Sequence, residues 1–176
     1  MTQSGTSYES SLLLTLGEIT QLVVHSHDSA DTLNSIVRLV QGRFNTAVCS
    51  VYVLQPETGE LVLGATVGLK QESVGRVRMS LTEGLTGLVG QTLAPVNVSD
   101  ASSHPRFKYF PEAGEDPFRS FLGVPLLEGG SLQGVLVLQT AEERRFQPGE
   151  VRTLVTVAAQ LAPLVADARL LERAAR

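Results

Sequence analysis

The segment from His104 to Pro111 holds the side chains best suited to bind a small polar molecule. It brings three aromatic rings together with basic side chains, and Arg119 follows a few residues later. An arginine can hold a carboxylate through two parallel hydrogen bonds, because its guanidinium presents a planar fork of donors. The residues predicted to form this ligand site are Arg106, Phe107, Tyr109, Phe110, Arg119 and Phe121.

The same side chains also fit a purely structural role. Phe107 and Phe110 would then fill an open face of the domain. Arg106 and Arg119 would instead form ion pairs with nearby acidic residues, namely Glu112, Glu115 or Asp116. The sequence leaves both interpretations open, since it does not show whether a cavity lies beneath the segment.

No pattern of nucleophile, base and orienting group is evident. The single cysteine, Cys49, lies in an apolar strand, where a thiol behaves as a small hydrophobic side chain. His25 and His27 close a predicted helix, and His104 precedes a proline, so the histidines form no complete set of metal ligands. We therefore expect a non-catalytic chain with no metal site and no cofactor.

Two further patterns resemble nucleotide sites only in part. Gly84, Gly87 and Gly90 lack the Lys-Ser/Thr pair of a phosphate-binding loop, and their spacing favours a short helix lying close against a sheet. Phe146 and Glu150 match part of the pattern of cyclic-nucleotide sites, but Gly149 stands where an Asp is expected. Neither nucleotide class is predicted as a ligand.

Composition excludes several other classes of protein. The 176 residues carry a net charge of -4 with no basic stripe, which argues against nucleic-acid binding. The N-terminus shows no signal peptide, and the apolar stretch near the C-terminus is broken by Thr156, Gln160 and Pro163. We expect a cytoplasmic protein that contacts no membrane.

Periodicity predicts helices at both ends of the chain and strands between them. An amphipathic helix at the start and a long one over 148–173 each carry apolar residues on a face that is free for a partner. These residues predict a homodimer formed through the terminal helices. They are Leu12, Leu16, Ile19 and Val23 in the first helix, and Val157, Leu164 and Leu171 in the last.

The order of elements predicts an α+β fold. It reads α-α-β-β-β-α-β-loop-β-β-α, and the short turns between strands favour an antiparallel sheet. The terminal helices would cover one face, and the short helix and the long loop would cover the other. We expect one domain over 1–176, with an ordered core over about 10–172.

Six stretches in this order resemble a GAF domain, and they cover nearly the whole chain. The similarity is most specific to the N-terminal GAF domain of the nitrogen-related phosphoenolpyruvate-protein phosphotransferases, Enzyme I of the nitrogen phosphotransferase system. The stretches are Cys49–Tyr52, Pro56–Leu63, Val74–Arg78, Glu83–Val89, His104–Glu112 and Arg119–Pro125. The resemblance implies a GAF-like, six-stranded sheet.

The resemblance also implies a regulatory function. In that family the GAF domain precedes a catalytic region that carries out phosphotransfer, and glutamine is the proposed effector of some members. Such a chain would bind a nitrogen-status metabolite and control an attached phosphotransferase. The alternative is a ligand-free dimerisation module whose cavity is filled by side chains. The sequence ends before any catalytic region, so we expect a domain of a longer protein.

Overall fold

The computed structural model describes residues 10–25, 27–114 and 118–174, with side chains up to residue 170. Within these ranges it contains six strands, four longer helices and several short helical turns, of which one is at residues 10–12. The helices are α1 Leu16–Val24, α2 Ser29–Phe44, α3 Gly84–Thr92 and α4 Pro148–Ala174. The strands are β1 Val48–Gln55, β2 Glu60–Val67, β3 Arg78–Ser80, β4 Val96–Val98, β5 Phe121–Glu128 and β6 Ser131–Gln139.

The strands form one antiparallel sheet in the order β3-β2-β1-β6-β5-β4. Strands β1 and β6 lie at its centre, and both faces of the sheet are covered. Successive side chains of a strand point to opposite faces, so each central strand contributes to two cores. In β1, Cys49, Val51 and Val53 face one core, while Val48 and Tyr52 face the other. The predicted GAF-like α+β sandwich is confirmed.

The larger core lies between the sheet and helices α1, α2 and α4. It packs Ile36 and Val40 of α2 and Leu161 of α4 against Leu136 and Leu138 of β6. Val157, which we predicted on a face available to a partner, is fully buried in this core. It cannot take part in a dimer interface without the protomer opening.

The second core lies between the sheet, α3 and the loop that follows β4. Helix α3 approaches the sheet so closely that a Cβ at Gly87 would stand 2.6 Å from the carbonyl oxygen of Ser80. A Cβ at Gly90 would stand 2.8 Å from the side chain of Leu81. The glycine spacing therefore serves close packing, as predicted.

The prediction of one continuous helix through Leu12 and Leu16 is wrong. Helix α1 begins at Leu16, because the Thr15 hydroxyl caps the amide of Glu18 and the Glu18 carboxylate accepts from the amide of Thr15. Leu12 precedes this cap and is buried in the core, whereas Leu16 is 81% exposed. The two leucines thus belong to different surfaces, and the stripe is not continuous.

Helix α4 packs along the sheet for much of its length. Its segment Pro148–Leu170 is long and apolar enough to cross a membrane by length and composition alone, and half of it is buried within the domain. The core helix of a soluble protein has the same composition, so this is weak evidence of a span. The burial of Leu154, Ala158 and Leu161 against the sheet accounts for the apolar character.

Candidate functional site

The loop between β4 and β5 crosses the α3 side of the sheet. Backbone hydrogen bonds hold it near both ends. The amide of Ala101 donates to the carbonyl of Arg119 at 2.7 Å, and the amide of Lys70 donates to the carbonyl of Ala113 at 3.0 Å. The predicted ligand-binding segment is therefore tied to the framework on either side.

The cavity beneath the loop has a volume of only about 30 Å³. A cavity that accepts benzene measures roughly 150 Å³, so this one has room for a water molecule or two. Phe110 and Phe121 fill most of the space and are 8% and 4% exposed. The cavity is lined by Tyr52, Met79, Gly84, Leu85, Thr86, Ala101, Phe107, Lys108, Phe110, Phe118, Phe121 and Gln139.

Arg106 does not line this cavity, although we predicted that it would hold a ligand there. Its Nη1 donates to Oε1 of Gln91 at 3.0 Å, and its Nη2 donates to the carbonyl of Leu81 at 3.2 Å. Its Nε is buried and has no hydrogen-bond partner in the part of the chain that the structure describes. Arg106 thus ties the loop to both ends of the α3 region.

Arg119 lies outside the cavity as well. Its side chain is more than half exposed and forms an ion pair with Glu143 at 2.7 Å, with Asp100 at 3.8 Å from the same nitrogen. Of the acidic partners that the structural alternative predicted, Glu112 makes no ion pair with Arg119 among the described residues, and Glu115 and Asp116 lie outside them. The reason is that β5 brings Arg119 beside the end of β6, so Glu143 is its neighbour in space.

Phe107 and Tyr109 are the exposed aromatic residues of the loop. Phe107 reaches the edge of the cavity, and Tyr109 is not among its lining residues. The loop therefore alternates between rings that point outward and Phe110, which points inward. Of the six predicted site residues, the structure brings Phe107, Phe110 and Phe121 together and leaves the two arginines and Tyr109 outside.

Sequence reasoning missed an ion pair made by Lys108, which lines the cavity. The Lys108 ammonium lies 2.5 Å from a carboxylate oxygen of Glu83 and 5.2 Å from the centre of the Phe110 ring. The hydrogen bond from Lys108 lowers the pKa of Glu83. The partners are far apart in sequence, and no local pattern indicates that the loop crosses the start of α3.

Cys49 and Glu150, two other side chains that could take part in chemistry, have structural roles. Burial raises the pKa of the Cys49 thiol, which keeps it protonated. Glu150 forms an ion pair with Arg144 at 2.6 Å and accepts from the amide of Gln147 at the start of α4. Within the described ranges, no three His, Cys, Asp or Glu side chains lie close enough together to hold a metal ion.

The sheet order, the helices on one face and the loop on the other define an α+β sandwich domain. The GAF family model matches residues 26–166, and the chain belongs to the GAF domain family. Its relatives include GAF domains of phosphoenolpyruvate-protein phosphotransferases. In those proteins the GAF domain is the regulatory part rather than the catalytic one.

Two solved structures and one curated protein show this relationship. The GAF domain of the Acinetobacter phosphoenolpyruvate-protein phosphotransferase is 34% identical with a TM-score of 0.78, covering 98% of this chain and 99% of that one. The corresponding Coxiella burnetii domain is 35% identical with a TM-score of 0.82 and the same coverage. The phosphoenolpyruvate-dependent phosphotransferase system protein of Escherichia coli is 38% identical over 159 residues, which are 90% of this chain and 21% of that protein. The chain thus spans about a fifth of the length of this relative.

Proposed function

We propose that this domain regulates phosphoenolpyruvate-dependent phosphotransfer by a catalytic region of the same protein, in the cytoplasm. The supporting observation is 34–35% identity over 98% of the chain to GAF domains of such enzymes. The domain itself would perform no chemical step. Its contribution would be to favour one conformation or assembly of the protein over another.

The geometry favours assembly through the terminal helices as the means of regulation. Leu16 and Val23 lie two turns apart on one side of α1, and they are 81% and 55% exposed. Val24 beside them is also exposed. Contiguous exposed apolar surface on a soluble domain marks an interaction site, because leaving it in water is unfavourable.

Helix α1 is joined to α4, so a partner on α1 would influence both. Gln160 of α4 donates to the carbonyl of Leu14 at 3.2 Å, just before α1 begins. Leu164 of α4 is half-buried and shares a groove with Val23. Ile19 is half-buried and packs against the core, and Leu171 lies outside the residues whose side chains are described. The proposed interface therefore keeps Leu16, Val23 and Leu164 and drops Leu12 and Val157.

Sedimentation velocity of the chain tests this proposal. We expect a dimer that the double substitution Leu16→Lys/Val23→Lys converts to monomer. Both side chains are exposed, so the fold should be retained. Leu93→Lys is the matched control, because Leu93 is an exposed apolar residue on the opposite face. A monomeric wild-type chain at hundreds of micromolar would contradict the proposal.

The second candidate function is a small-molecule sensor with the loop as its lid. This function is favoured because the contacts that hold the loop against α3 are weak. The Lys108–Glu83 ion pair and the Arg106–Gln91 hydrogen bond are both exposed, so solvent weakens both contacts. Moving Phe110 outward would open the space beneath, and breaking the hydrogen bonds of Arg106 to Gln91 and Leu81 would let its guanidinium meet a carboxylate, such as that of glutamine.

A thermal-shift measurement with glutamine tests the sensor. At one hundred times its dissociation constant a ligand adds about 2.7 kcal/mol, which raises the melting temperature of a domain this size by roughly 5–10 °C. We expect Arg106→Met to remove the shift, and Arg119→Met, on the exposed pair outside the cavity, to leave it intact. No shift at tens of millimolar glutamine would exclude glutamine as the ligand.

A further inference from the structure

A cavity larger than the one beneath the loop lies on the side of the sheet that the terminal helices cover. Its volume is about 210 Å³, seven times that of the cavity beneath the loop. It opens between the first turn of α2, the β1–β2 hairpin and the last turns of α4. It is larger than the roughly 150 Å³ that accommodates benzene in an engineered protein core.

A backbone irregularity lies in the wall of this cavity. The pairing of β1 with β2 shifts between Val51 and Tyr52, so that Gly64 is the extra residue of a bulge. A Cβ at Gly64 would stand only 3.0 Å from the side chains of Leu33 and Val53, so these two side chains pack directly against the glycine. The apolar walls of the cavity come from Leu33, Val53, Val62 and Val74.

One cationic side chain, that of Arg169, lines the cavity and has a nitrogen atom with no hydrogen-bond partner among the described residues. The Nε of Arg169 is buried and makes no hydrogen bond with any residue that the structure describes. A buried donor left unpaired is unfavourable, so a ligand that accepts a hydrogen bond from it would be stabilised there. No ion pair of Arg169 occurs among the described side chains.

The rest of the rim is compatible with a negative charge. Ser29 and Ala30 form the first turn of α2, where the helix dipole favours anions, although Asp28 already caps one amide there. Glu57 is the other charged lining residue, and it is exposed at the rim, where solvent screens its charge. Arg169 is thus the charge that an enclosed group would meet.

We propose that this cavity binds a small carboxylate with a branched or aromatic apolar tail, with the carboxylate on Arg169 and the tail between Leu33, Val53 and Val62. The ligand would connect α4 to the hairpin and to α2. It would therefore act on the helices of the proposed interface without entering the loop. The site is independent of the proposed function, since binding here requires neither a dimer nor an open lid.

Nuclear magnetic resonance titration of the ¹⁵N-labelled 176-residue chain tests this proposal. The probe is 4-methylpentanoate, and the matched neutral probe is 4-methylpentanamide. We expect the carboxylate to shift the amide signals of Ala30, Gly64 and Gly75 and to bind at least about ten-fold more tightly than the amide. Equal affinities of the two probes would overturn the assignment of Arg169.

Two variants complete the test. Arg169→Met keeps an unbranched stem but removes the guanidinium, and it should weaken carboxylate binding about ten-fold, while Arg152→Met, an exposed change on the same helix, should leave it unchanged. Leu33→Phe should fill the cavity and abolish binding of both probes. The proposal fails if the shifts map to residues 104–111, or if Arg169→Met binds as the wild type does.

Discussion

The absence of a Cβ at Gly87 allows α3 to approach the sheet closely. The Cβ of an alanine at position 87 would overlap the carbonyl oxygen of Ser80 at 2.6 Å, and this neighbour is backbone that cannot rotate away. At Gly42, on the exposed side of α2, a Cβ would meet nothing within 4 Å. The two positions are both helical, so intrinsic propensity favours alanine at both by about 1 kcal/mol.

The expected effects of alanine therefore have opposite signs. Gly42→Ala should stabilise the domain by about 0.5–1 kcal/mol. Gly87→Ala should destabilise it by about 1–3 kcal/mol, because the steric overlap outweighs the helix propensity. Urea unfolding followed by circular dichroism measures both changes. If Gly87→Ala were as stable as Gly42→Ala, the close packing of α3 would be wrong.

At the scale of elements, a cap and an ion pair fix α1. Glu18 accepts from the amide of Thr15 and forms an ion pair with Arg43 of α2. The hydrogen bond from Arg43 is the main reason that the pKa of Glu18 is lowered from its ordinary value of 4.5. A lowered folded-state pKa stabilises the folded state above pH 4.5, and the contribution is lost as the pH falls through the folded-state pKa.

The titration of Glu18 gives a direct measurement of this contact. We expect its side-chain carboxyl ¹³C signal to titrate with a midpoint below 4.5, and Arg43→Met to move the midpoint up. Arg38→Met, an exposed change on the same helix, should not move it. An unchanged midpoint in Arg43→Met would mean that α1 is not anchored to α2 by this pair.

Helix α1 also shows which features of the fold the sequence could and could not predict. The pattern of apolar residues predicted strands between the terminal helices, as observed. The spacing of Leu12 and Leu16 fits a single helix, and it misled because the Thr15-x-x-Glu18 cap between them was overlooked. That signal was readable from sequence alone.

The site itself was less predictable because its contacts are non-local. Residue type predicted aromatic and cationic side chains near one face, and Phe110 and Phe121 do lie together. The partners of Arg106 and Arg119 depend on how the loop crosses α3 and on the pairing of β5 with β6. The bulge at Gly64, in the wall of the larger cavity, depends on a strand register that one sequence does not contain.

At the scale of the whole molecule, two cores share one sheet. Leu136 of β6 points into the core beneath the terminal helices, and Leu61 of β2 points into the core beneath α3 and the loop. Both side chains are fully buried. The same strands carry both cores, so we expect the two faces to unfold together with the sheet.

Matched substitutions on the two faces test this coupling. Leu136→Ala and Leu61→Ala should each lower the free energy of unfolding by about 2–5 kcal/mol, as expected for buried leucines. Each variant should still unfold in a single transition, with far-ultraviolet circular dichroism and the methyl signals of both cores changing at the same urea concentration. Leu93→Ala, at an exposed leucine, should change stability by less than about 0.5 kcal/mol.

If the loop-side methyl signals of Leu61→Ala were lost at lower urea than the helix-side signals, the two faces would unfold separately. The loop face would then be a local opening unit of the kind that a sensory lid requires.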